Sequence, residues 1–148
     1  MRTAAAETVG APPEAVYAFL ERLENHWQLT SGFVTVDRLA PDGGRIVLRG
    51  PLGVRKRART ELRRCEPPAG DRPGVVAGTA TDDAGTTAQV EWRIAAAPKG
   101  SRVELATTID DARGLDRVWL ALGAGRWIRR GLGRSLRELE QALEAQRR

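Results

Sequence analysis

The chain has 148 residues, of which 41% are hydrophobic, and this length suits one domain with a sizeable core. Its single cysteine, Cys65, excludes an internal disulfide, and no segment reaches the roughly 18 consecutive apolar residues of a membrane-spanning helix. The formal net charge of +5 lies entirely in residues 112–148, where nine arginines stand against four acidic residues.

These properties predict one cytoplasmic domain over residues 1–148. The first ten residues, MRTAAAETVG, lack the apolar core of a secretory signal. Arginine supplies 22 of the 24 basic residues, a bias that genomic base composition can produce, so we expect no nucleic acid partner. The single histidine excludes a multi-histidine metal site and the glycines form no nucleotide-binding loop, so we expect neither a metal nor a cofactor.

The first predicted elements are a strand and two short helices. Residues 2–9 can form the strand, which Gly10, Pro12 and Pro13 end. From residue 14 to about 23, apolar residues recur at i, i+3, i+4 and i+7, the spacing of one helix face. A turn or second short helix follows through ENHWQL, residues 24–29.

From residue 33 to 111 the apolar period changes from about 3.6 to 2, which indicates strands. The predicted strands are 33–39, 45–50, 54–65, 74–81, 87–96 and 101–110. Short glycine- and proline-containing turns separate them, such as PDGG at 41–44 and DDAG at 82–85. Connections this short join antiparallel neighbours, so the pattern predicts an antiparallel meander.

One face of this sheet is predicted to be covered and the other wet. Val90, Trp92 and Ile94 alternate with the charged Glu91 and Arg93, and the strand 101–110 alternates in the same way. Only the C-terminal segment is long enough to cover the apolar face, with a helical stripe of leucines and one isoleucine over residues 128–143. Its arginines at 126, 130, 134 and 137 should project away from the sheet, and its glycines predict a kink or break near 123–125.

The predicted elements are a strand, two short helices, a meander and a long C-terminal helix. This order resembles that of the START-related or SRPBCC superfamily. Three stretches look like its polyketide cyclase/dehydratase-like branch: APPEAVYAFLERLENHWQL, VEWRIAAAPKGSRVEL and GLGRSLRELEQALEA. The resemblance implies an α+β helix-grip fold, in which a curved antiparallel sheet of about seven strands wraps around the long C-terminal helix. It also implies a cavity between sheet and helix for apolar or amphipathic ligands, and it transfers no catalytic residue.

Four tryptophans and several small residues are the candidates for the wall of such a cavity. Few bulky side chains occupy the predicted covered face, and tryptophans offer flat apolar walls with single donors. Ordinary core packing by the same tryptophans is the alternative. The predicted ligand-binding residues are Trp27, Ala58, Thr60, Val90, Trp92, Leu105, Thr107, Trp119, Leu122 and Trp127.

Candidates for chemistry are few. His26 could serve as a general acid or base, or could be a partly exposed loop histidine. Lys56 should point inward near the end of the sheet, where it could meet a polar ligand head. Cys65 is interpreted as structural, although Arg63 and Arg64 beside it could lower the pKa of its thiol.

The other charged groups have a structural interpretation beside a functional one. The aspartate pairs 82–83 and 110–111 suit turn formation and a strand exit better than a shared active site. Alternating arginines at 55, 57, 59 and 63 could grip phosphate, but cross-strand pairing with Glu61, Glu91 and Glu104 is the favoured interpretation. A solvated face is likewise favoured over membrane docking for the arginine-rich C-terminal segment.

The leading hypothesis is a binding protein for a hydrophobic or amphipathic small molecule, lipid-like or polyketide-like. A polyketide cyclase or dehydratase is the alternative, with His26, Lys56, Thr60 and Thr107 as candidates for moving protons. A third hypothesis is a membrane- or protein-docking module that acts through the C-terminal helix. The oligomeric state is left open.

Overall fold

A computed structural model describes residues 2–26, 29, 34–39, 43–49, 55–109, 112 and 124–147. Two short helices follow the first strand, and one long helix follows the last strand. The elements in chain order are β1 (Arg2–Val9), α1 (Pro13–Leu20), α2 (Leu23–His26), β2 (Val34–Leu39), β3 (Gly43–Arg49), β4 (Arg55–Glu66), β5 (Gly74–Asp82), β6 (Thr87–Ala97), β7 (Gly100–Ile109) and α3 (Ala124–Arg147).

The strands form one antiparallel sheet in the order β1-β7-β6-β5-β4-β3-β2. Strands β2 to β7 are therefore a meander, as predicted, and β1 closes the sheet beside β7. The turn after β5 shows how the connections work. The Asp82 carboxylate accepts hydrogen bonds from the backbone N–H groups of Ala84 and Thr86, each at 3.0 Å, and Gly85 has a φ of 89°. The predicted turn role of the 82–83 pair is observed.

The sheet has one apolar face and one charged face, as the alternation predicts. We call the first the covered face; it carries Val76, Trp92, Ile94, Val103 and Leu105, each at most 4% exposed. The outer face carries exposed charged groups. A bulge in β4 between Leu62 and Arg64 places one extra residue in that strand, and Arg64 then lies opposite Ala77.

Helix α1 covers part of the apolar face. It begins at Pro13, with Pro12 as its N-cap residue, and the Pro12 carbonyl accepts the first hydrogen bonds of the helix from Ala15 and Val16. Its buried residues Val16 and Phe19 join the core cluster that contains the residues of β5, β6 and β7. The buried Ser101 hydroxyl donates to the Ala11 carbonyl at 2.7 Å and ties the start of β7 to the segment before α1.

Helix α3 covers a different part of the apolar face of the sheet. It packs mainly along β1 and, to a lesser extent, β7, through the buried residues Leu132, Leu136, Leu139 and Leu143. The helix begins at Ala124, within the predicted break at 123–125, and continues through the glycines at 131 and 133. It extends beyond the predicted apolar stripe of residues 128–143 at both ends.

The predicted fold class is confirmed: an α+β fold with a curved antiparallel sheet, short helices and a long C-terminal helix. The boundaries differ by a few residues. Strand β3 begins at Gly43 rather than residue 45, because Gly43 and Gly44 pair with Glu61 and Thr60 instead of remaining in the turn. Glycines at a strand end carry no side-chain pattern, so the alternation could not include them.

Candidate functional site

The covered face changes in side-chain size from one end of the sheet to the other. Directly opposite residues on β5, β6 and β7 form rows across this face. In order, these rows are Ala80–Ala88–Ile109, Gly78–Val90–Thr107, Val76–Trp92–Leu105 and Gly74–Ile94–Val103. The first two rows consist mostly of small or short side chains, and the last two contain the bulky core residues.

Burial changes in the same direction. We call the last two rows the closed end, since every side chain they carry is at most 4% exposed. We call the first two rows, with Ala58 and Thr60 of β4, the open end; apart from Ala58, its members are only partly buried. Helix α1 packs on β5, β6 and β7 and shares the core cluster of the closed end. The covering of the sheet by the described elements is therefore incomplete at the open end.

An ion pair lies at the edge of the open end. The Lys56 ammonium is 3.9 Å from the Asp82 carboxylate, and the two side chains are 29% and 10% exposed. Register places Asp82 opposite Ala58, on the covered face, and Lys56 two residues before Ala58 along β4. Burial lowers the pKa of Lys56, while the Asp82 charge opposes that shift. The inward placement of Lys56 that the sequence predicts is observed.

His26 lies at the closed end instead. Its Nε2 is 2.5 Å from the Leu20 carbonyl, which can only accept, so this nitrogen carries the proton. Asn25 donates to the neighbouring Phe19 carbonyl at 2.9 Å, so two side chains of α2 cap the end of α1. The imidazole also packs edge-on against Trp92, with ring centroids 5.9 Å apart, and burial lowers its pKa. His26 is therefore a half-buried cap on a helix, not a loop histidine.

The structure separates the predicted ligand-binding residues into three groups. Thr60, Val90 and Thr107 lie together at the open end with Ala58, and the Thr60 hydroxyl donates to the Gly44 carbonyl at 3.3 Å. Trp92 and Leu105 are packed into the closed end. Trp127 is 44% exposed on α3. The remaining three, Trp27, Trp119 and Leu122, lie outside the described residues, as do Asp110 and Asp111.

Sequence reasoning missed the partnership of Asp82 with Lys56. The sequence predicts only a turn role for Asp82, but its carboxylate has two roles: one oxygen accepts the turn N–H groups and the other faces Lys56. The alternation contained the signal, because residue 82 has the same parity in β5 as the inward-facing Val76. Register between β4 and β5 was needed to bring the two charges together.

Cys65 does not have an activated thiol. Partial burial and the nearby Glu21 charge raise its pKa, and the Arg64 guanidinium is engaged with Glu66 through bonds of 2.7 and 2.8 Å. The same surroundings raise the pKa of Tyr17, first through burial and then through the Cys65 and Glu21 charges. The idea that the neighbouring arginines lower the thiol pKa is wrong for this reason.

Ion pairing on the outer face is only partly as predicted. Arg63 pairs with Glu61 at 2.7 Å, but Glu91 pairs with Arg93 of its own strand and Glu104 pairs with Arg2. Arg55, Arg57 and Arg59 are exposed and form no ion pair with any described residue. Their neighbours on β3 explain this, since Arg59 lies opposite Arg45 and Arg57 lies opposite Val47. The prediction of ion pairing along the whole row is wrong for these three arginines.

The outer face also has a depression of about 340 Å³ over β4 to β7, with Arg2, Arg63 and Arg64 at its rim. Each of these arginines has a carboxylate partner at 2.7 Å. The depression is rimmed by charge and lies on the side away from the helices, so it is not the apolar cavity that the sequence predicts.

Metal-binding clusters and membrane-spanning helices are both missing from the described residues. Within the described ranges, no three His, Cys, Asp or Glu side chains come together as a metal site. None of the helices in the described part of the chain is long and apolar enough to cross a bilayer.

The fold defines the helix-grip class: one face of the sheet is covered by two short helices and a long C-terminal helix. Small side chains lie at one end of that face. The chain belongs to the family described as polyketide cyclase / dehydrase and lipid transport, which matches residues 1–144. A comparison with curated proteins finds no match.

Solved structures show the same fold at low sequence identity. TTHA0849 from Thermus thermophilus is 17% identical with a TM-score of 0.65, and the match covers 98% of both chains. The KanY protein (ms6282) is 18% identical with a TM-score of 0.69 over 97% of both chains. DynU16, from the dynemicin biosynthetic locus, is 14% identical with a TM-score of 0.59; the match covers 97% of this chain and 47% of DynU16.

Proposed function

We propose that this domain binds an amphipathic small molecule, lipid-like or polyketide-like, at the open end of the covered face. The observation that carries the proposal is the joint fall in side-chain size and burial along β5, β6 and β7. Protein cores are normally packed to crystal density, so small, partly exposed side chains on the covered face favour space for a guest. The family description, which includes lipid transport, supports the same class of ligand.

The polar end of the ligand is inferred from Lys56. Its ammonium is partly desolvated at the edge of the open end, where the side chain is 29% exposed. An anionic head group at the open end would lie beside this positive charge. The apolar part of the ligand would then lie over Ala80, Ala88 and Val90.

A matched pair of substitutions tests the location. Ala80→Leu fills the open end, whereas Ala77→Leu adds the same atoms to the outer face of the same strand, where Ala77 is also partly buried. The probe is anilinonaphthalene sulfonate, which combines an apolar ring system with an anionic head. Ala80→Leu should weaken its binding about tenfold, the order expected from overpacking by about 1–3 kcal/mol, and Ala77→Leu should leave it unchanged.

The head-group assignment has its own test. Lys56→Met should weaken binding of the anionic naphthalene probe and spare Nile red, a neutral apolar dye. Equal weakening by Ala80→Leu and Ala77→Leu would refute the site, and equal loss of both dyes in Lys56→Met would refute the head-group assignment. Native mass spectrometry of the purified chain should reveal an apolar or amphipathic small molecule that Ala80→Leu no longer retains.

An enzyme related to polyketide cyclases is the second candidate, favoured by the acid–base pair at the edge of the open end. Lys56 and Asp82 differ in charge, and the Thr60 and Thr107 hydroxyls lie in neighbouring rows. Lys56 is better placed for proton transfer than His26, whose Nε2 caps α1 at the closed end. Loss of water from a synthetic linear polyketone thioester, followed by mass spectrometry and abolished in Lys56→Met, would select this function.

A further inference from the structure

The N-terminal half of α3 carries positive charge without any acidic residue. Residues 124–137 contain five arginines, and the first acid of the helix is Glu138. All five arginines are exposed. We call the side of the helix opposite its leucine stripe the α3 outer face; it carries Arg126, Trp127, Arg130, Arg134 and Arg137.

These arginines have no partner within the part of the chain that the structure describes. No ion pair or side-chain hydrogen bond joins any of them to a described residue. Elsewhere on the surface, arginines such as Arg2, Arg64 and Arg93 do have carboxylate partners. The charge of the α3 outer face is therefore available to an external anion.

Trp127 gives this face an apolar group as well. At 44% exposure it is the large hydrophobic residue that stands out from the described surface. It lies about 140° from the centre of the leucine stripe at the helical period, so it lies outside the stripe that packs on the sheet. Arg130 and Arg134 follow at i+3 and i+7, so they lie on the same side of the helix as the indole.

An anionic bilayer fits this combination better than other polyanions. Arg126 and Arg137 are about 17 Å apart along the helix axis, so the charges form a row that can lie flat on a surface. Indole rings favour the boundary between head groups and acyl chains, and flanking arginines reach the phosphates there. Strand β4 itself contains no aromatic residue, so its exposed arginines add charge alone from that strand.

We propose that the α3 outer face docks this protein on an anionic phospholipid surface, with the Trp127 indole in the interface and Arg130 and Arg134 on the head groups. The apolar stripe of the helix remains packed on the sheet, so docking requires no unfolding. The contact is peripheral and reversible, because one indole and a few charges supply it. Docking through α3 is independent of ligand binding at the open end.

The test compares two double variants with the same change in net charge. Arg130→Gln/Arg134→Gln removes two charges from the α3 outer face, and Arg55→Gln/Arg57→Gln removes two unpaired charges from the sheet. Each is measured by co-sedimentation with vesicles of phosphatidylcholine alone or mixed with phosphatidylglycerol, at about 0.1 M salt, where the Debye length is about 10 Å. Circular dichroism checks that both variants fold.

The unchanged protein should bind only the vesicles that contain phosphatidylglycerol. Loss of the two α3 charges should lower the partition constant about 25-fold, from about 1 kcal/mol for each basic residue near an anionic surface. The sheet variant should change it by less than about threefold, since its arginines are remote from the bilayer and screened. Trp127→Ala should also weaken binding relative to the unchanged protein, although it leaves the net charge the same.

Three results would overturn the proposal. The first is no binding of the unchanged protein to anionic vesicles. The second is an equal loss in the two double variants, which would indicate nonspecific attraction between a basic protein and any polyanion. The third is full binding by Trp127→Ala, which would remove the indole from the interface.

Discussion

The same substitution, glycine to alanine, should change stability in opposite directions at two positions. Gly78 lies in β5 opposite Leu62, beside the β4 bulge, and a Cβ there would approach the Glu61 carbonyl oxygen to 2.5 Å. Gly133 lies in the interior of α3, and a Cβ there would meet only the Arg137 guanidinium, at 3.7 Å. The first neighbour is backbone held in the sheet, and the second is the end of a flexible side chain.

These contacts determine the expected magnitudes. Gly133→Ala should raise the free energy of unfolding by about 0.5–1 kcal/mol, because alanine loses less backbone entropy in a helix. Gly78→Ala would gain a similar amount in the strand but must separate β4 from β5, at a cost of about 1–3 kcal/mol. With mid-range values for both effects, the net result at Gly78 is a loss of roughly 1 kcal/mol.

Urea unfolding, followed by circular dichroism and tryptophan fluorescence, measures both changes. At this chain length each kcal/mol corresponds to about 2–4 °C in Tm. Gly133→Ala should therefore melt a few degrees above the unchanged protein and Gly78→Ala a few degrees below it. If Gly78→Ala were as stable as the unchanged protein, the close approach of the two strands at the bulge would be refuted.

Two further predictions concern the core. Leu139→Ala should lower the free energy of unfolding by about 2–5 kcal/mol, because Leu139 is fully buried between α3 and the sheet. The exposed control Arg134→Ala should change it by no more than about 0.5 kcal/mol. A loss below about 1 kcal/mol in Leu139→Ala would contradict the packing of α3. Burial lowers the pKa of His26 below its ordinary value of 6.5. Below pH 6.5 the unfolded chain therefore takes up a proton that the folded chain does not, and the free energy of unfolding should fall as the pH drops. Urea titrations between about pH 7 and 5 should show this slope and its reduction in His26→Gln, and an equal slope in both proteins would count against a half-buried, neutral imidazole.

Much of the architecture follows from periodicity. The two-residue alternation of β6 and β7 and the leucine stripe of α3 each predict which side of an element is apolar, and the structure agrees with both. Turn residues such as those after Asp82 predict where the chain reverses. These signals are local, because an element's own spacing determines which of its side chains share a face.

The candidate site was predicted less completely. Thr60, Val90 and Thr107 were expected to line a cavity and lie together at the open end, but Trp92 belongs to the closed end and Trp127 to the surface. Alternation assigns a residue to a face and says nothing about its position along that face relative to α1. Residue type alone groups the tryptophans, whereas burial separates Trp92 from Trp127, the two that the structure describes.

The sequence alone determined the order of elements, the covered and outer faces of the sheet, and the basic character of the C-terminal helix. Only the tertiary structure decided which end of the covered face is filled, because that depends on where α1 and α3 pack. It also decided which charges are paired: strand register brings Asp82 toward Lys56 and sets Arg59 opposite Arg45. Pairing depends on neighbours far apart in the chain, which no local spacing specifies.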